Sequence, residues 1–167
     1  DEILAEARKR GFLTLVGHCY ESQGSPPYIP FVEMVESALR QVDPAVLRVH
    51  LGDSAGEVAR LVPELRRQFP DIPPPLELPP EQERRHIYNS CRDFVARAAG
   101  SYPICVLLDD LHWADEGSLL LVDRFSEDIA AMRVMVLGTY RDVELDLGRP
   151  LARTLDGLVR QRLVHRV

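Results

Sequence analysis

Two adjacent acids, Asp109 and Asp110, follow directly after the apolar run Ile-Cys-Val-Leu-Leu at positions 104–108. Their carboxylate oxygens suit a hard cation such as Mg²⁺. One acid can hold the cation, directly or through its waters, while the other polarises an attacking water, as phosphoryl transfer requires. The pair alone is weak evidence, because two solvated acids at the end of a strand are common.

A cationic side chain follows a second apolar run further along the chain. The run occupies 134–139, and Arg141 comes two positions after it. A guanidinium there can reach the same ligand and stabilise phosphoryl charge. An arginine after a strand is ordinary by itself, but the order acids, helix, strand, arginine is much more specific. The combined pattern predicts a phosphoryl-transfer site.

The elements that must position these residues alternate between strands and helices. Uninterrupted apolar runs are typical of strands buried on both faces of a parallel sheet, and 12–18 predicts a further strand. The spacing of apolar residues predicts helices over 1–10, 30–42, 81–99, 116–130 and 150–160, with a last strand starting at 163–164. We therefore expect an α/β fold with helices on both sides of a parallel sheet, and ligands beyond the carboxyl ends of its strands.

Helix ends carry recognisable signals. Gly11 and Gly100 are expected to close the helices that precede them. Asp115 is expected to cap the N-terminus of the helix over 116–130. These signals place both acids in the short connection between a strand and that helix.

A helical and Pro-rich insertion is expected over 44–80. Its first part, 44–69, shows weaker helical patterns, and 70–80 contains six prolines, which favours an extended connector. The sequence does not indicate what this insertion does.

Composition excludes several classes of function. The formal net charge of −6 argues against direct contact of this segment with nucleic acid or an anionic membrane. No apolar run approaches the roughly 20 residues that span a bilayer, and the N-terminus does not resemble a signal peptide. The three cysteines stand far apart and are expected to be small buried hydrophobes. We expect a single cytoplasmic domain without membrane contact.

The residues around the acid pair resemble a known family. The block LLDDLHWAD, within 106–115, is similar to the Walker B segment of AAA-like ATPases of the STAND class. These P-loop NTPases serve bacterial signal transduction and transcription regulation. The block GTYRDVEL at 138–145 resembles the sensor strand of the family, and 15–40 resembles the strand, loop and helix that follow its first helix. The resemblance covers nearly the whole chain.

This resemblance implies a role for each site residue. Asp109 would be the Mg²⁺-associated acid, Asp110 the catalytic acid that polarises water, and Arg141 the residue that senses the terminal phosphate of the nucleotide. The implied cofactors are ATP and Mg²⁺, and the implied partners are other modules of the same polypeptide, with oligomerisation. We assign His112 and Trp113 to packing or to shaping the site.

The chain departs from the family in one essential part. The phosphate-binding loop G-x-x-x-x-G-K-[ST] is absent, and the single lysine, Lys9, has no glycine-rich loop before it. We therefore expect 1–167 to be a partial AAA-like domain, in which 1–11 ends the helix after the missing loop and 104–145 carries the Walker B and sensor strands. It is either an excerpt of a longer chain or a degenerate paralogue.

Two further expectations follow from the missing loop. Alone, the polypeptide should bind ATP poorly and hydrolyse it hardly at all. The strand at 134–139 should have an unpaired edge, which favours aggregation, pairing with a partner or marginal folding.

Other classes of protein fit less well. A receiver domain needs a lysine on a later strand, a haloacid-type phosphatase needs Asp-x-Asp, and a serine hydrolase needs a Gly-x-Ser-x-Gly elbow; none of these is present. A metal site made of His18, Cys19 and Glu21 has no recognised spacing. The serious alternative is a catalytically inactive scaffold or interaction domain with an ATPase-like fold.

Overall fold

A computed structural model describes residues 2–21, 26–141 and 150–160. Three parallel strands form one sheet in the order β1 (Leu13–His18), β2 (Ile104–Asp109) and β3 (Val134–Gly138). The strands start level with one another, because Leu13 lies opposite Ile104 and Ile104 opposite Val134. The expected α/β class is confirmed, and the fold is that of a partial P-loop NTPase-type sheet.

Helices precede or follow each strand. They are α1 (Glu2–Lys9), α2 (Ile29–Gln41), α3 (Pro44–Leu51), α4 (Ala55–Leu61), α5 (Glu64–Gln68), α6 (Pro80–Ser101), α7 (Glu116–Ile129) and α8 (Pro150–Arg160), with 3₁₀ turns at Gly52–Ser54 and Leu111–Trp113. The five helices expected from apolar spacing are all present. The strand expected at 163–164 and positions 142–145 of the sensor block lie outside the described residues. None of the described helices is long and apolar enough to cross a membrane.

Both faces of the sheet are covered, but unequally. On one face, Cys105 packs with Leu4 and Ala7 of α1. On the other, Ile104 and Leu108 belong to a larger cluster that also takes side chains from α2, α6 and α7. Burial on both faces explains why β2 is an uninterrupted apolar run.

The segment 44–80 packs on α2 and α6 through its own core. Three leucines, Leu47, Leu51 and Leu65, are among the most completely buried side chains of the protein. Val42 of the preceding turn and Phe94 of α6 join the same cluster. The insertion is therefore an integral layer of the domain.

The residues 72–79, here called the proline segment, run extended across α4. Glu57 of α4 accepts a hydrogen bond of 2.8 Å from the backbone N–H of Leu76, and Arg60 donates one of 2.6 Å to the carbonyl of Leu76. The guanidinium of Arg66 donates to the carbonyls of Ile72 and Pro73. Side chains thus satisfy backbone groups that no sheet partner satisfies.

One expected helix end is confirmed and another is wrong. Gly11 ends α1 with a φ of +80°, a conformation that favours glycine. Gly100 does not close α6, because the helix continues to Ser101. Tyr102 leaves the helical conformation at φ −130° and ψ 140°, since Pro103 disfavours helical geometry in the residue before it.

Candidate functional site

The acid pair lies at the carboxyl edge of the central strand. Asp109 is the last residue of β2 and stands opposite His18 of β1 in the strand register. Asp110 follows in the left-handed conformation, with φ 57° and ψ 45°, and starts the 3₁₀ turn Leu111–Trp113. Because the strands are parallel, their carboxyl ends meet at this edge, as the sequence predicts.

Thr139, the first residue after β3, joins both acids. Its hydroxyl donates a hydrogen bond to Oδ1 of Asp109 and accepts one of 3.0 Å from the backbone N–H of Asp110. Its carbonyl accepts a further bond of 2.8 Å from the N–H of Leu111. Sequence reasoning missed this residue. The available signal was a polar residue directly after an apolar strand, at the same edge as the acids.

The glycine before Thr139 lets the turn approach β3. A Cβ at Gly138 would lie 2.5 Å from Cδ1 of Leu111, so a larger residue would displace the Leu111 side chain. The next residue, His112, is buried, and its ring lies 5.0 Å from that of Trp113 between centroids. The assignment of both residues to packing or to shaping the site remains a prediction.

Asp115 caps α7, as the sequence predicts. Its Oδ1 accepts a hydrogen bond of 2.9 Å from the N–H of Ser118, and its Oδ2 accepts one of 2.6 Å from the Ser118 hydroxyl. Oδ2 also accepts the backbone N–H of Tyr28, at 3.2 Å. This last contact joins the residues before α2 to residues 110–117, here called the acid-pair turn, and no local sequence signal indicates it.

Helix α2 places a further carboxylate, that of Glu33, against the end of β1. Oε2 of Glu33 lies 2.8 Å from both the backbone N and the ring Nδ1 of His18, and Oε1 accepts the hydroxyl of Tyr20 at 2.7 Å. Burial by itself raises the pKa of Glu33, but the hydrogen bonds from Tyr20 and His18 outweigh it, so the pKa lies below its usual value. Glu33 is therefore ionised at neutral pH and adds negative charge to this edge.

The structure describes the surroundings of His18 and Cys19, which with Glu21 form the metal site that the sequence leaves as a minor alternative. His18 is engaged with Glu33. Burial, with the negative charges of Asp115 and Asp110 next in weight, raises the pKa of the Cys19 thiol to about 12, so it stays protonated at neutral pH. Within 2–21, 26–141 and 150–160, no group of three or more His, Cys, Asp or Glu residues is placed to hold a metal.

The acids nevertheless suit Mg²⁺ in its usual binding mode. Magnesium is commonly held through one or two carboxylates, with waters and substrate phosphates as the remaining ligands. Asp109 and Asp110 provide that donor set without a complete protein cage. A nucleotide would have to bring its own phosphate oxygens to the ion.

The remaining predicted residue, Arg141, follows β3 on its carboxyl side. It lies two residues beyond Thr139, and its side chain is exposed. Its proposed contact with a terminal phosphate remains a prediction. Lys9 is exposed in the last turn of α1 and does not belong to the site.

The fold and site define an α/β nucleotide-binding class, with a carboxylate pair beyond the central strand of a parallel sheet. The family model described as the AAA ATPase domain matches residues 1–137. The chain therefore belongs to the AAA ATPase domain family, whose members in general bind a nucleotide with Mg²⁺. The matched range includes both acids and ends before Thr139. No curated protein and no solved structure matches the chain.

Proposed function

We propose that this chain is the Mg²⁺-binding and water-activating part of an ATP-hydrolysing switch domain. The observation that carries the proposal is the Thr139 hydroxyl, which is hydrogen-bonded to the Asp109 carboxylate and to the backbone of Asp110 at the carboxyl edge of the sheet. This arrangement holds two carboxylates at the carboxyl edge of a parallel sheet, which is where open α/β sheets bind their ligands. The larger protein would be a STAND-class bacterial regulator of signalling or transcription, with other modules in the same polypeptide.

The proposed roles divide the chemistry among three side chains. Asp109 holds Mg²⁺, directly or through a water, because one of its oxygens already accepts the Thr139 hydroxyl and the other can face the ion. Asp110 polarises the attacking water. Arg141 contacts the terminal phosphate, where a guanidinium stabilises the charge that develops in phosphoryl transfer.

We propose that a phosphate-binding loop outside these 167 residues completes the site, because the sequence has no glycine-rich loop with a lysine. Backbone amides and a lysine normally supply most of the contacts to the phosphates. We therefore propose that the chain alone binds ATP weakly and that a longer polypeptide completes the site.

Calorimetry tests the need for this missing loop. Mg²⁺-dependent ATP binding would be measured for the 167-residue chain and for a polypeptide extended by the residues that precede it in the complete protein. Binding that is strong only in the longer polypeptide supports the proposal. No binding in either, with both folded, contradicts it.

Substitution of Asp110 tests its catalytic role. In the complete protein, Asp110→Asn should abolish ATP hydrolysis while leaving ATP binding largely intact, because Asp109 still holds Mg²⁺. Glu127→Gln, which changes an exposed carboxylate further along α7, is the control and should have no effect. Equal hydrolysis rates for Asp110→Asn and the parent would remove Asp110 from the mechanism.

A separate substitution tests Arg141. Arg141→Ala should weaken the discrimination between ATP and ADP, because only ATP carries the terminal phosphate. Binding constants for both nucleotides would be measured in the complete protein. Unchanged relative affinities for ATP and ADP would show that Arg141 does not contact the terminal phosphate.

A second candidate function is an inactive scaffold with the same fold. The observation that favours it is the single lysine, Lys9, which lies at the end of α1 outside any phosphate-binding loop. A complete protein that folds, binds its partner and shows no Mg²⁺-dependent ATP binding would establish this alternative.

A further inference from the structure

Two non-glycine residues of the described chain adopt positive φ angles, and they flank the same turn. Asp110 has φ 57° and Tyr28 has φ 69°. Non-glycine residues are rare in this conformation, which persists only where the surrounding contacts enforce it. Asp110 begins the turn that leads to α7, and Tyr28 contacts the end of that turn.

Tyr28 contacts the start of α7 in two independent ways. Its backbone N–H donates to Oδ2 of Asp115 at 3.2 Å. Its ring lies against Gly117, where a Cβ would be 2.9 Å from Cε1 and 3.0 Å from Cζ of Tyr28. Backbone and ring together fix the position of the first turn of α7.

The opposite end of the same turn is fixed by Thr139. Its hydroxyl accepts the N–H of Asp110, and its carbonyl accepts the N–H of Leu111 at 2.8 Å. The residues from Asp110 to Gly117 are therefore held at both ends by chain segments that are distant in sequence. The carboxylate of Asp110 belongs to this doubly held turn.

We propose that Asp115 and Tyr28 form a positioning pair for Asp110, holding the acid-pair turn in the geometry that water activation requires. This rests on the proposed function of Asp110. Asp115 combines two roles, because the carboxylate that caps α7 also accepts the N–H of Tyr28. Neither residue touches the reacting atoms, so the pair acts through the turn.

The single tryptophan of the chain, Trp113, provides a direct probe, because it lies inside the turn. Asp115→Asn keeps an oxygen that can cap α7. It also places an amide N–H₂ opposite the N–H of Tyr28, so that contact is lost. Trp113 emission and acrylamide quenching of the 167-residue chain would be measured for parent and variant at a concentration where sedimentation shows the monomer. We expect emission at longer wavelength and stronger quenching in Asp115→Asn.

A matched control comes from the N-cap of α3. Asp43 accepts hydrogen bonds from the N–H groups of Ala45 and Val46, at 2.9 and 3.3 Å, within its own helix. Asp43→Asn is thus the same substitution at a helix cap distant from the acid-pair turn. It should leave the emission and quenching of Trp113 unchanged.

A second variant keeps the test decisive if Asp115→Asn does not fold. Gly117→Ala introduces a Cβ 2.9 Å from the Tyr28 ring and 3.0 Å from Oδ1 of Asp115, so it disturbs both members of the pair, while alanine itself favours the helix. We expect the same change in Trp113 fluorescence. Emission and quenching equal to the parent in a folded Asp115→Asn, or in Gly117→Ala, would overturn the proposal.

Kinetics separate positioning from a purely structural role. In the complete protein, Asp115→Asn should lower kcat about tenfold or more, since small displacements of catalytic groups are costly, and should leave KM for Mg-ATP nearly unchanged. An unchanged kcat in an active protein would overturn the positioning role. A parent without ATP hydrolysis would instead refute the proposed function, and the fluorescence would still decide whether the pair holds the turn.

Discussion

The hydroxyl of Thr139 donates a hydrogen bond to the carboxylate of Asp109, across two neighbouring parallel strands. The strand order places these two residues side by side, although 30 positions separate them in the sequence. The contact engages Oδ1 of Asp109, so the proposed Mg²⁺ ligand would be the other carboxylate oxygen. Substitution of the uncharged Thr139 should therefore change the position of both acids.

Removal of this hydroxyl should loosen the acid-pair turn. Thr139→Val keeps the shape of the side chain but removes both the donor to Asp109 and the acceptor for the N–H of Asp110. We expect the free energy of unfolding to fall by about 1 kcal/mol, the usual net value of a hydrogen bond at an accessible site. Thr139→Ser retains the hydroxyl and should stay closer to the parent. Denaturant unfolding of the three proteins measures the difference, and equal stability of Thr139→Val and parent would contradict the prediction.

The close approach of Gly17 to Pro30 predicts a severe effect of a single methyl group. A Cβ at Gly17 would lie 2.3 Å from the carbonyl oxygen of Pro30, which is backbone and cannot move aside alone. Gly17→Ala should destabilise the fold by about 2–3 kcal/mol, as overpacking does elsewhere.

Gly100→Ala is the matched control, because no atom lies within 4 Å of a Cβ there and Gly100 is part of α6. Alanine should be neutral or stabilise this helix by about 0.5 kcal/mol. Equal unfolding midpoints for the two variants would show that α2 can shift to accept the methyl group at Gly17.

The buried carboxylate of Glu57 should be essential for holding the proline segment. It accepts the N–H of Leu76, and its Oε2 lies 3.4 Å from Nε of Arg60. Glu57→Ala removes the acceptor of that N–H. It also removes one of the two carboxylates that pair with Arg60, and Glu83 remains as the other. We expect a loss of about 3 kcal/mol, the lower end of the range for a broken buried pair, because Arg60 keeps Glu83 as a partner.

The exposed pair formed by Glu64 and Arg67 provides the control, with the same three-residue spacing on the neighbouring helix. Glu64→Ala should cost about 0.5 kcal/mol or less. Limited proteolysis should cut the proline segment faster in Glu57→Ala alone. Equal cleavage in both variants would show that packing, rather than Glu57, holds the segment.

The histidine at position 50 predicts a loss of stability in mild acid. Burial lowers its pKa, and the guanidinium of Arg97 lowers it further. The unfolded chain therefore binds a proton more readily than the folded one. Stability should be unaffected well above pH 6.5 and should fall as the pH drops through the unfolded pKa of about 6.5 towards the folded pKa, by at most about 1.4 kcal/mol per pH unit.

His50→Gln should flatten this pH dependence, since glutamine does not titrate. Urea unfolding of parent and variant between about pH 8 and 5 covers the ordinary titration range of histidine. The relevant quantity is the difference between the two slopes, because other histidines contribute equally to both. Equal pH dependence of the free energy of unfolding in parent and variant would contradict the lowered pKa of His50.

The outer edge of β3 should make the isolated chain self-associate. Within the part of the chain that the structure describes, β3 pairs only with β2, and Met135 and Val136 are exposed. An unpaired apolar strand is a template for pairing with another chain. Sedimentation should therefore show association that increases with concentration. A stable monomer with reversible, cooperative unfolding would contradict this prediction.

Local patterns in the sequence were sufficient for the element types, most element ends and the place of the acids. The apolar run 104–108 predicted a strand buried on both faces, and the acids after it had to lie at its carboxyl edge. Asp115 was identifiable as a cap because N-capping depends on residues within one turn of a helix. The wrong end assigned to Gly100 shows the limit of such signals, since the proline two residues beyond Ser101 decided where that helix stopped.

Tertiary structure alone decided which distant residues touch the acids. Thr139 meets Asp109, and Tyr28 meets Asp115, because parallel strands and their helices bring separate segments to one edge of the sheet. Hydrogen bonds between such segments leave no periodic trace in the sequence, since each needs only one suitable polar atom at one point in space. The sequence by itself therefore determined that two acids follow the central strand, and the fold determined what holds that pair in place.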